Sequence, residues 1–412
     1  MKMKAKLYNF IPKNTFIYEY MKYCENLETP TNFDFWGAVW IVSLFLERHL
    51  AILRPNAPLF PNFYITFVAN SGECRKSTAI NCANNIIQMM INDKDKINIM
   101  TGTTSTARFN YILTKASAVD NKCIIGINCS EFITFFKNKN IIECFTDLYD
   151  CPLERKGYGT FTNGEINIRN VFVSSISATT PNYYFKAITK EEIEGGFTSR
   201  NIILPAETGK RRIAWNEHKA DEALLLYQGR KIQEFIKYTK AAGFTLSPTA
   251  IQRYSRWYLR RRKSADLYTR TFEAREQDFV LKLAAILAAN DRTAEISEIH
   301  IENAIKIIQS VKKDAQKFFN DALYEENVST LDKTITRIRD IIHSKGANGI
   351  QHRELYLRVH NSCTSDEYNY IINMMHELGM IEKLQPYKSK AVIYRETKNL
   401  YKIDITKVIE KL

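Results

Sequence analysis

Five short apolar runs constrain this chain more than any other feature: FYITFVA (63–69), INIM (97–100), CIIGIN (123–128), VFVSSIS (171–177) and NIIL (201–204). Runs such as CIIGIN and VFVSSIS lack the strict apolar–polar alternation of a half-exposed strand. That is the expected pattern for parallel strands covered on both faces. Helical stretches separate the runs, and the alternation predicts a doubly wound α/β domain over 62–208.

The flanks read as helix. In the N-terminal helical segment, 1–61, Phe16 to Asn26 and Asn32 to His49 are helical stretches, and Pro55, Pro58 and Pro61 punctuate the exit. WGAVWIVSLFL (36–46) is too short to span a bilayer and ends in Glu47-Arg48-His49, so it predicts a buried helix. Gly209-Lys210-Arg211-Arg212 marks a boundary. An all-α segment, 209–328, follows, with helices expected at Ala220 to Lys240, Pro248 to Lys263, Phe272 to Ala289 and Ser297 to Leu323.

The last segment, 329–412, changes again. Thr330 to Ser344 predicts one helix, Gly349-Ile350 a short strand and His352 to Val359 a second helix. Ser365 reads as the cap of a third helix, Asp366 to Leu378, stopped by Gly379. MIEKLQPYKSKAVIYRET (380–397) reads as two strands around a basic turn. This order is that of a winged helix-turn-helix, a module that either reads DNA or docks protein.

The composition, 45% hydrophobic and 25% charged over 412 residues, is that of a globular chain. A net charge of +13 points to an acidic partner, nucleic acid being the commonest, although a lysine-rich coding bias yields the same sign. Eight cysteines form no C-x-x-C pair, and no His–Cys spacing resembles a zinc site. Several lie in apolar runs, so buried reduced thiols and a cytoplasmic compartment are expected. The start, MKMKAKLYNFIPKN, lacks the continuous apolar stretch of a signal peptide.

The chemistry centres on FVANSGECRKSTAI (67–80), a β-rich run, a polar loop, then Lys76-Ser77-Thr78 opening a helix. This is the layout of a P-loop, in which backbone N–H groups wrap phosphates, the Lys reaches the β- and γ-oxygens and a hydroxyl holds Mg²⁺. Ser77 or Thr78 can supply that hydroxyl. The pattern wants glycines at Asn70 and Arg75, and only Gly72 is present in the loop. A lysine at a helix start is electrostatically unfavourable, which itself favours a bound anion.

Further candidates follow downstream. Glu131, three residues past CIIGIN, is either a catalytic carboxylate or the cap of the helix after it. Ser177, Thr179 and Thr180 end the fourth run, where polar groups can contact a γ-phosphate or lytic water. Arg200 precedes the fifth run, where it can reach a phosphate held by a neighbouring subunit or form a surface ion pair. Asn163-Gly164, within GTFTNGEINI, predicts a β-hairpin. Arg155, Lys156 and Arg169 surround it, and Tyr158 and Phe161 could stack on bases unless the hairpin is purely structural.

In order, Ser71-Gly72 to Lys76-Ser77-Thr78, Ser130-Glu131-Phe132, the hairpin, Thr179-Thr180-Pro181 and Gly196-Phe197-Thr198-Ser199-Arg200 resemble a helicase-like P-loop family of unknown function from phages, plasmids and other mobile elements. That family is similar to the minichromosome-maintenance (MCM) replicative helicases, within the AAA+ ATPases that carry a hairpin before the sensor strand. NLETPTNFDFWGAVWIVSLFLERHLAIL (26–53) followed by PNFYITFVANSG (61–72) resembles the family's N-terminal helices. The likeness covers about Phe10 to Ala289, and the winged helix would extend it over nearly the whole chain.

The resemblance implies an AAA+ α/β core over 62–208 with a pre-sensor β-hairpin, a helical lid and linker over 209–328 and a winged-helix DNA-binding domain over 329–412. Lys76 and Ser77 would be the Walker A residues, with Mg²⁺ on Ser77, and Ser71, Gly72, Arg75 and Thr78 would complete the ATP cradle. Glu131 would be the Walker B acid, Thr179 or Thr180 the first sensor, and Arg200 the trans-acting finger. FEAREQDFVLKLAAILAA (272–289) resembles the lid-helix motif and makes Arg275 a second-sensor candidate. The hairpin, with Asn163 at its tip, would point into a central channel.

Departures from the pattern are Arg75 in place of a loop glycine and Asn128 or Ser130 in place of the Walker B Asp. Asp366-Glu367 at the start of the third C-terminal helix oppose phosphate, leaving Lys388 and Lys390 of the wing as its DNA contacts. The expectation is an ATP- and Mg²⁺-dependent DNA helicase or translocase in replication of a phage or mobile element. It would be a hexameric ring with single-stranded DNA in its channel, duplex DNA on the winged helix and no membrane association. The alternative is an origin-binding initiator or regulator whose weakened ATPase core serves oligomerisation. A small-molecule kinase is a third option, opposed by the hairpin, lid and winged helix.

Overall fold

All five apolar runs contribute strands to one parallel sheet in the computed structural model. It describes residues 7–55, 57–91, 97–102, 106–118, 121–136, 139–156, 167–188, 196–206, 213, 221–262, 264, 267–385 and 391–397. Two helices lead in, α1 (Phe16–Cys24) and α2 (Thr31–Leu46). There follow β1 (Tyr64–Val68), α3 (Lys76–Met90), β2 (Asn98–Thr101), α4 (Thr106–Ala118) and β3 (Cys123–Cys129). Then come α5 (Phe132–Phe136), α6 (Lys139–Leu148), an antiparallel pair β4 (Glu154–Lys156) and β5 (Asn167–Arg169), β6 (Val171–Thr179), α7 (Pro181–Ala187) and β7 (Asn201–Pro205).

The sheet order is β2-β3-β6-β1-β7, with every pair parallel. From β1 the chain goes to the far edge at β2, returns through β3 and β6, then crosses β1 to reach β7. Such a reversal opens a crevice at the carboxyl ends of the strands, where α/β folds bind ligands.

The apolar segment 36–46 becomes part of α2, and every residue of α2 after Thr31 is buried. A helix with no polar face needs cover on all sides. Phe33 stacks on Phe67 at 4.2 Å and Trp36 meets Phe63 edge-on at 5.5 Å. Ser174 and Ser177 of VFVSSIS are satisfied internally. Ser43 Oγ donates to Ser174 Oγ at 2.9 Å, which donates to the Phe63 carbonyl at 3.0 Å. On the same strand Ser177 Oγ donates to the Ile65 carbonyl at 3.1 Å and lies 3.0 Å from Thr66 Oγ1, which reaches Asn201 Oδ1 at 3.1 Å. Left unpaired, each buried hydroxyl would cost about 1–3 kcal/mol.

Beyond β7 come α8 (Glu222–Tyr238), β8 (Thr245–Leu246), α9 (Pro248–Leu259), α10 (Leu267–Asn290), β9 (Glu295–Ile296) and α11 (Glu298–Ser344). Where the sequence reading has one helix ending at Leu323 and another starting at Thr330, α11 is continuous. The intervening YEENVS holds no Gly or Pro, so nothing interrupts the backbone ladder. The chain divides into two compact units, Met1–Phe318 and Phe319–Leu412, and the division falls within α11.

The second unit contains the rest of α11, β10 (Ile350–Gln351), α12 (His352–Val359), α13 (Ser365–Glu377), β11 (Ile381–Leu384) and β12 (Ile393–Glu396). Its sheet is antiparallel in the order β10-β12-β11. Ile335, Ile338, Ile342, Leu355, Ile371 and Met375 belong to its core. The cap of α13 is Thr364 and not Ser365. Thr364 Oγ1 accepts from the Glu367 N–H at 3.3 Å while Glu367 Oε2 accepts from the Thr364 N–H at 2.8 Å, a reciprocal capping box. Gly379, at φ +67°, follows the end of the helix as expected. The basic turn with Lys388 and Lys390 lies outside the described residues. No helix among the described residues is long and apolar enough to cross a membrane.

Thr364→Ala should destabilise α13 by about 1 kcal/mol. Amide hydrogen exchange across α13 should speed up correspondingly, whereas Ser365→Ala should leave it unchanged.

Candidate functional site

β1 delivers the chain out of the middle of the sheet. Just past its end the Ala69 N–H donates to the Thr179 carbonyl at 3.2 Å, and the Ala206 N–H donates to the Val68 carbonyl at 2.9 Å. Residues 70–75 then turn, and Lys76 is the first residue of α3. Gly72 (φ +78°) and Arg75 (φ +47°) are both left-handed. Position 75 therefore keeps the backbone that favours the glycine of the P-loop pattern, although its side chain is arginine. That conformation costs a non-glycine residue about 1–2 kcal/mol.

Side-chain contacts offset part of this cost. Arg75 Nε and Nη2 donate to Glu28 Oε2 at 3.2 and 3.0 Å. Glu28 follows a single 3-10 turn, Glu25–Leu27, and its Oε1 accepts from the Ile213 N–H at 2.5 Å. Cys74 is buried and its Sγ donates to the Ala206 carbonyl at 3.7 Å. The loop is thus held from the sheet side and from the N-terminal segment.

Within the loop, Lys76 Nζ donates to the carbonyls of Ala69 and Asn70 at 2.6 and 2.8 Å. Burial lowers its pKa from the ordinary value, against the opposing pull of Cys74 and Glu73. Ser71 and Ser77 are exposed and Thr78 is half-buried. The first N–H groups of a helix have no partner within it and its dipole is positive at that end, so the start of α3 suits an anion.

Strand register brings other expected residues to the same level. Cys129 lies opposite Ser177, and Thr179 opposite Val68. Glu131, two residues past Cys129, therefore leaves β3 at about the height of the loop. It is exposed, directly precedes α5, and its carbonyl accepts from Cys129 Sγ at 3.1 Å. Of the two departures there, Asn128 is buried and Ser130 exposed. Thr179 is buried, with Oγ1 donating to the Thr180 carbonyl at 3.2 Å. Thr180 caps α7, accepting from the Tyr183 N–H at 3.4 Å. The carboxyl ends of β1, β3 and β6 so gather Lys76, Ser77, Thr78, Glu131, Thr179 and Thr180.

The two arginines lie elsewhere. Arg200 ends a 3-10 turn, Thr198–Arg200, just before Asn201, which pairs with Tyr64 at the amino end of β1. A strand of this length separates it from the loop by roughly 15 Å. Arg275, on α10, is brought to Arg200 and not to Lys76. Its Nη1 and Nη2 donate to the two carboxylate oxygens of Asp150 at 2.8 and 3.4 Å. Arg200 Nη2 is 3.6 Å from the same carboxylate, and its Nη1 donates to the Gly196 carbonyl at 2.9 Å.

Beneath them, Lys282 Nζ lies 3.8 Å from the centre of the Tyr149 ring and donates to Asn62 O and Oδ1 at 3.1 and 2.7 Å. Burial brings the Lys282 ammonium down to about 8. Burial pushes the Asp150 carboxyl up, but Arg275 and Arg200 outweigh it and hold the group below its ordinary value. Asp150 and Lys282 escape a sequence reading because residues 150, 200, 275 and 282 share no local pattern.

Of the expected nucleic-acid contacts, Lys156 ends β4 and Arg169 ends β5, in register with Glu154. Arg169 is exposed, with Nε 3.5 Å from Glu154 Oε1. Tyr158, Phe161 and Asn163 lie outside the described residues. All eight cysteines are free thiols, and among the described residues no cluster of His, Cys, Asp and Glu could hold a metal ion. The chain matches no protein-family model and none of the curated proteins.

The folded value of Lys282, near 8, lies below the 10.5 of a free lysine. Between those values the unfolded chain holds the extra proton, so stability rises with pH. Urea unfolding should show the wild type gaining on Lys282→Met from pH 7 to 10; parallel curves would mean an unshifted lysine.

Proposed function

We propose that this chain is an AAA+ type ATPase that acts on DNA as a ring of copies, most simply a helicase or translocase serving replication of a phage or mobile element. The observation that carries the reading is the separation of its charged groups. Lys76, Ser77, Glu131 and Thr179 gather at the carboxyl ends of the parallel strands, and Arg200 with Arg275 at the amino ends. A phosphate on Lys76 is out of reach of its own chain's Arg200 and Arg275, and a second copy could present them.

In this reading Lys76 exchanges the carbonyls of Ala69 and Asn70 for phosphate oxygens, and the N–H groups opening α3 receive the rest of the anion. Ser77 would hold Mg²⁺, which would help neutralise the charge developing on the phosphates. Glu131 orients the attacking water, and the neighbour's Arg200 stabilises the developing charge. Arg200 and Arg275 would have to trade Asp150 for that phosphate. In the second unit, the element order from α11 to β12 fits a winged helix, and the net charge of +13 fits a nucleic-acid partner. With Asp366 and Glu367 in the first turn of α13, phosphate contact would fall to the connection between β11 and β12.

A second reading, an initiator or regulator whose core mainly oligomerises, is favoured by Arg75 in place of glycine and Ser130 in place of an acid.

ATP hydrolysis measured with and without single-stranded DNA tests the choice. Lys76→Ala and Arg200→Ala should each lower the rate at least about 100-fold. Mixing the two inactive proteins should restore part of it, because an intact Lys76 then meets an intact Arg200 from another copy. No recovery on mixing sinks the shared site, and a wild type that assembles without hydrolysing ATP supports the initiator reading.

A further inference from the structure

The amino ends of the strands hold a contact that the proposed shared site has to break. Tyr149 and Cys151 are buried, and between them the Asp150 side chain is 55% exposed. Its one carboxylate meets both guanidiniums. It is bidentate on Arg275, at 2.8 and 3.4 Å, and lies 3.6 Å from Arg200 Nη2.

Arg200 is folded back on its own chain. Its Nη1 donates to the Gly196 carbonyl at 2.9 Å, and a Cβ at position 196 would lie 2.8 Å from that nitrogen, so the close approach requires glycine there. Its Nε is buried and has no hydrogen-bond partner among the described residues. A separation of 3.6 Å from Asp150 is too long for a hydrogen bond. The guanidinium is therefore held by charge and by one carbonyl, with donors to spare for a better acceptor.

The other carboxylate nearby is committed elsewhere. Asp278 is 12% exposed, pairs with Arg54 at 2.8 Å and comes only within 3.9 Å of Arg275. With Lys282 enclosed against Tyr149, the cluster has four cations to two carboxylates among the described residues. Asp150 is thus the counter-charge that faces solvent and can leave. Exposed ion pairs contribute little and exchange readily. A terminal phosphate carries up to about two negative charges, more than a carboxylate, and fits the arginine fork as well.

We propose that Asp150 is an autoinhibitory latch. In the lone chain its carboxylate occupies Arg275 and Arg200, and it gives them up when a neighbouring copy brings a nucleotide's terminal phosphate to them. The inference rests on the shared site proposed above and adds that the chain masks its own arginines until copies assemble.

Two measurements test it. The first needs neither hydrolysis nor assembly. Inorganic tripolyphosphate is titrated calorimetrically into dilute full-length Lys76→Ala chain, which lacks the loop lysine, with and without Asp150→Asn. Asp150→Asn should tighten binding about fivefold, the order expected for removing two exposed ion pairs. Adding Arg200→Ala and Arg275→Ala should abolish the gain, and raising the salt should shrink it. The second is ATP hydrolysis against chain concentration. Asp150→Asn should reach its half-maximal rate at about a fivefold lower concentration than the wild type. Asp150→Glu, which keeps the charge, should behave as the wild type does. Cooperative thermal unfolding of Asp150→Asn checks that the variant is folded. Unchanged tripolyphosphate affinity would overturn the latch, as would a gain that persists without the two arginines. A lower maximal rate in Asp150→Asn would make Asp150 a residue that positions the arginines and overturn it too. A wild type that hydrolyses no ATP removes the proposed ATPase, and the tripolyphosphate titration then still decides whether Asp150 masks the arginines.

Discussion

Strand β1 is paired in parallel on both sides, to β6 and to β7, and the placement of every candidate group depends on that pairing. Its side chains are buried along its whole length, with Phe33 and Trp36 of α2 against Phe67 and Phe63. A strand enclosed in this way has little freedom to shift register. Its carboxyl end therefore delivers the 70–75 turn to one height on the molecule, and its amino end fixes the height of Arg200.

The two ends handle charge differently. At the loop, a lysine at the positive end of a helix is satisfied by two backbone carbonyls, and a left-handed Arg75 is tied to Glu28. These are neutral or exchangeable partners that an anion could displace. At the amino ends, Asp150 serves two guanidiniums at once while Lys282 is enclosed against Tyr149 and Asn62. The proposed shared site follows from this asymmetry, since the cation surplus at one end and the loop before α3 at the other lie at opposite ends of the strands.

Much of the fold was legible in the sequence because its determinants are local. Apolar runs without alternation announced buried parallel strands; the five strands of the sheet lie within or across those runs, and four of them are buried, whereas the edge strand β2 is largely exposed. The strand, turn and helix around Lys76 are contiguous, so their juxtaposition needed no knowledge of the rest of the chain. Local reading failed where neighbouring residues compete for one role. Thr364 and Ser365 can each cap a helix, and the reciprocal bond with Glu367 selects the former. It failed also across 324–329, where polar residues looked like a break but carry nothing that ends a helix.

By itself, then, the sequence determined the five strands of the sheet, most of the helices and the lysine at the head of α3, because backbone hydrogen bonding and burial period act over a few residues; it missed the short parallel pair β8–β9 within the segment read as all-α. Only the tertiary structure decided the strand order, the height of Glu131 beside the loop, and the meeting of Arg200, Arg275, Asp150 and Lys282. Those meetings depend on where the chain crosses over the sheet. A charge finds its partner by proximity in space, which spacing along the sequence does not encode.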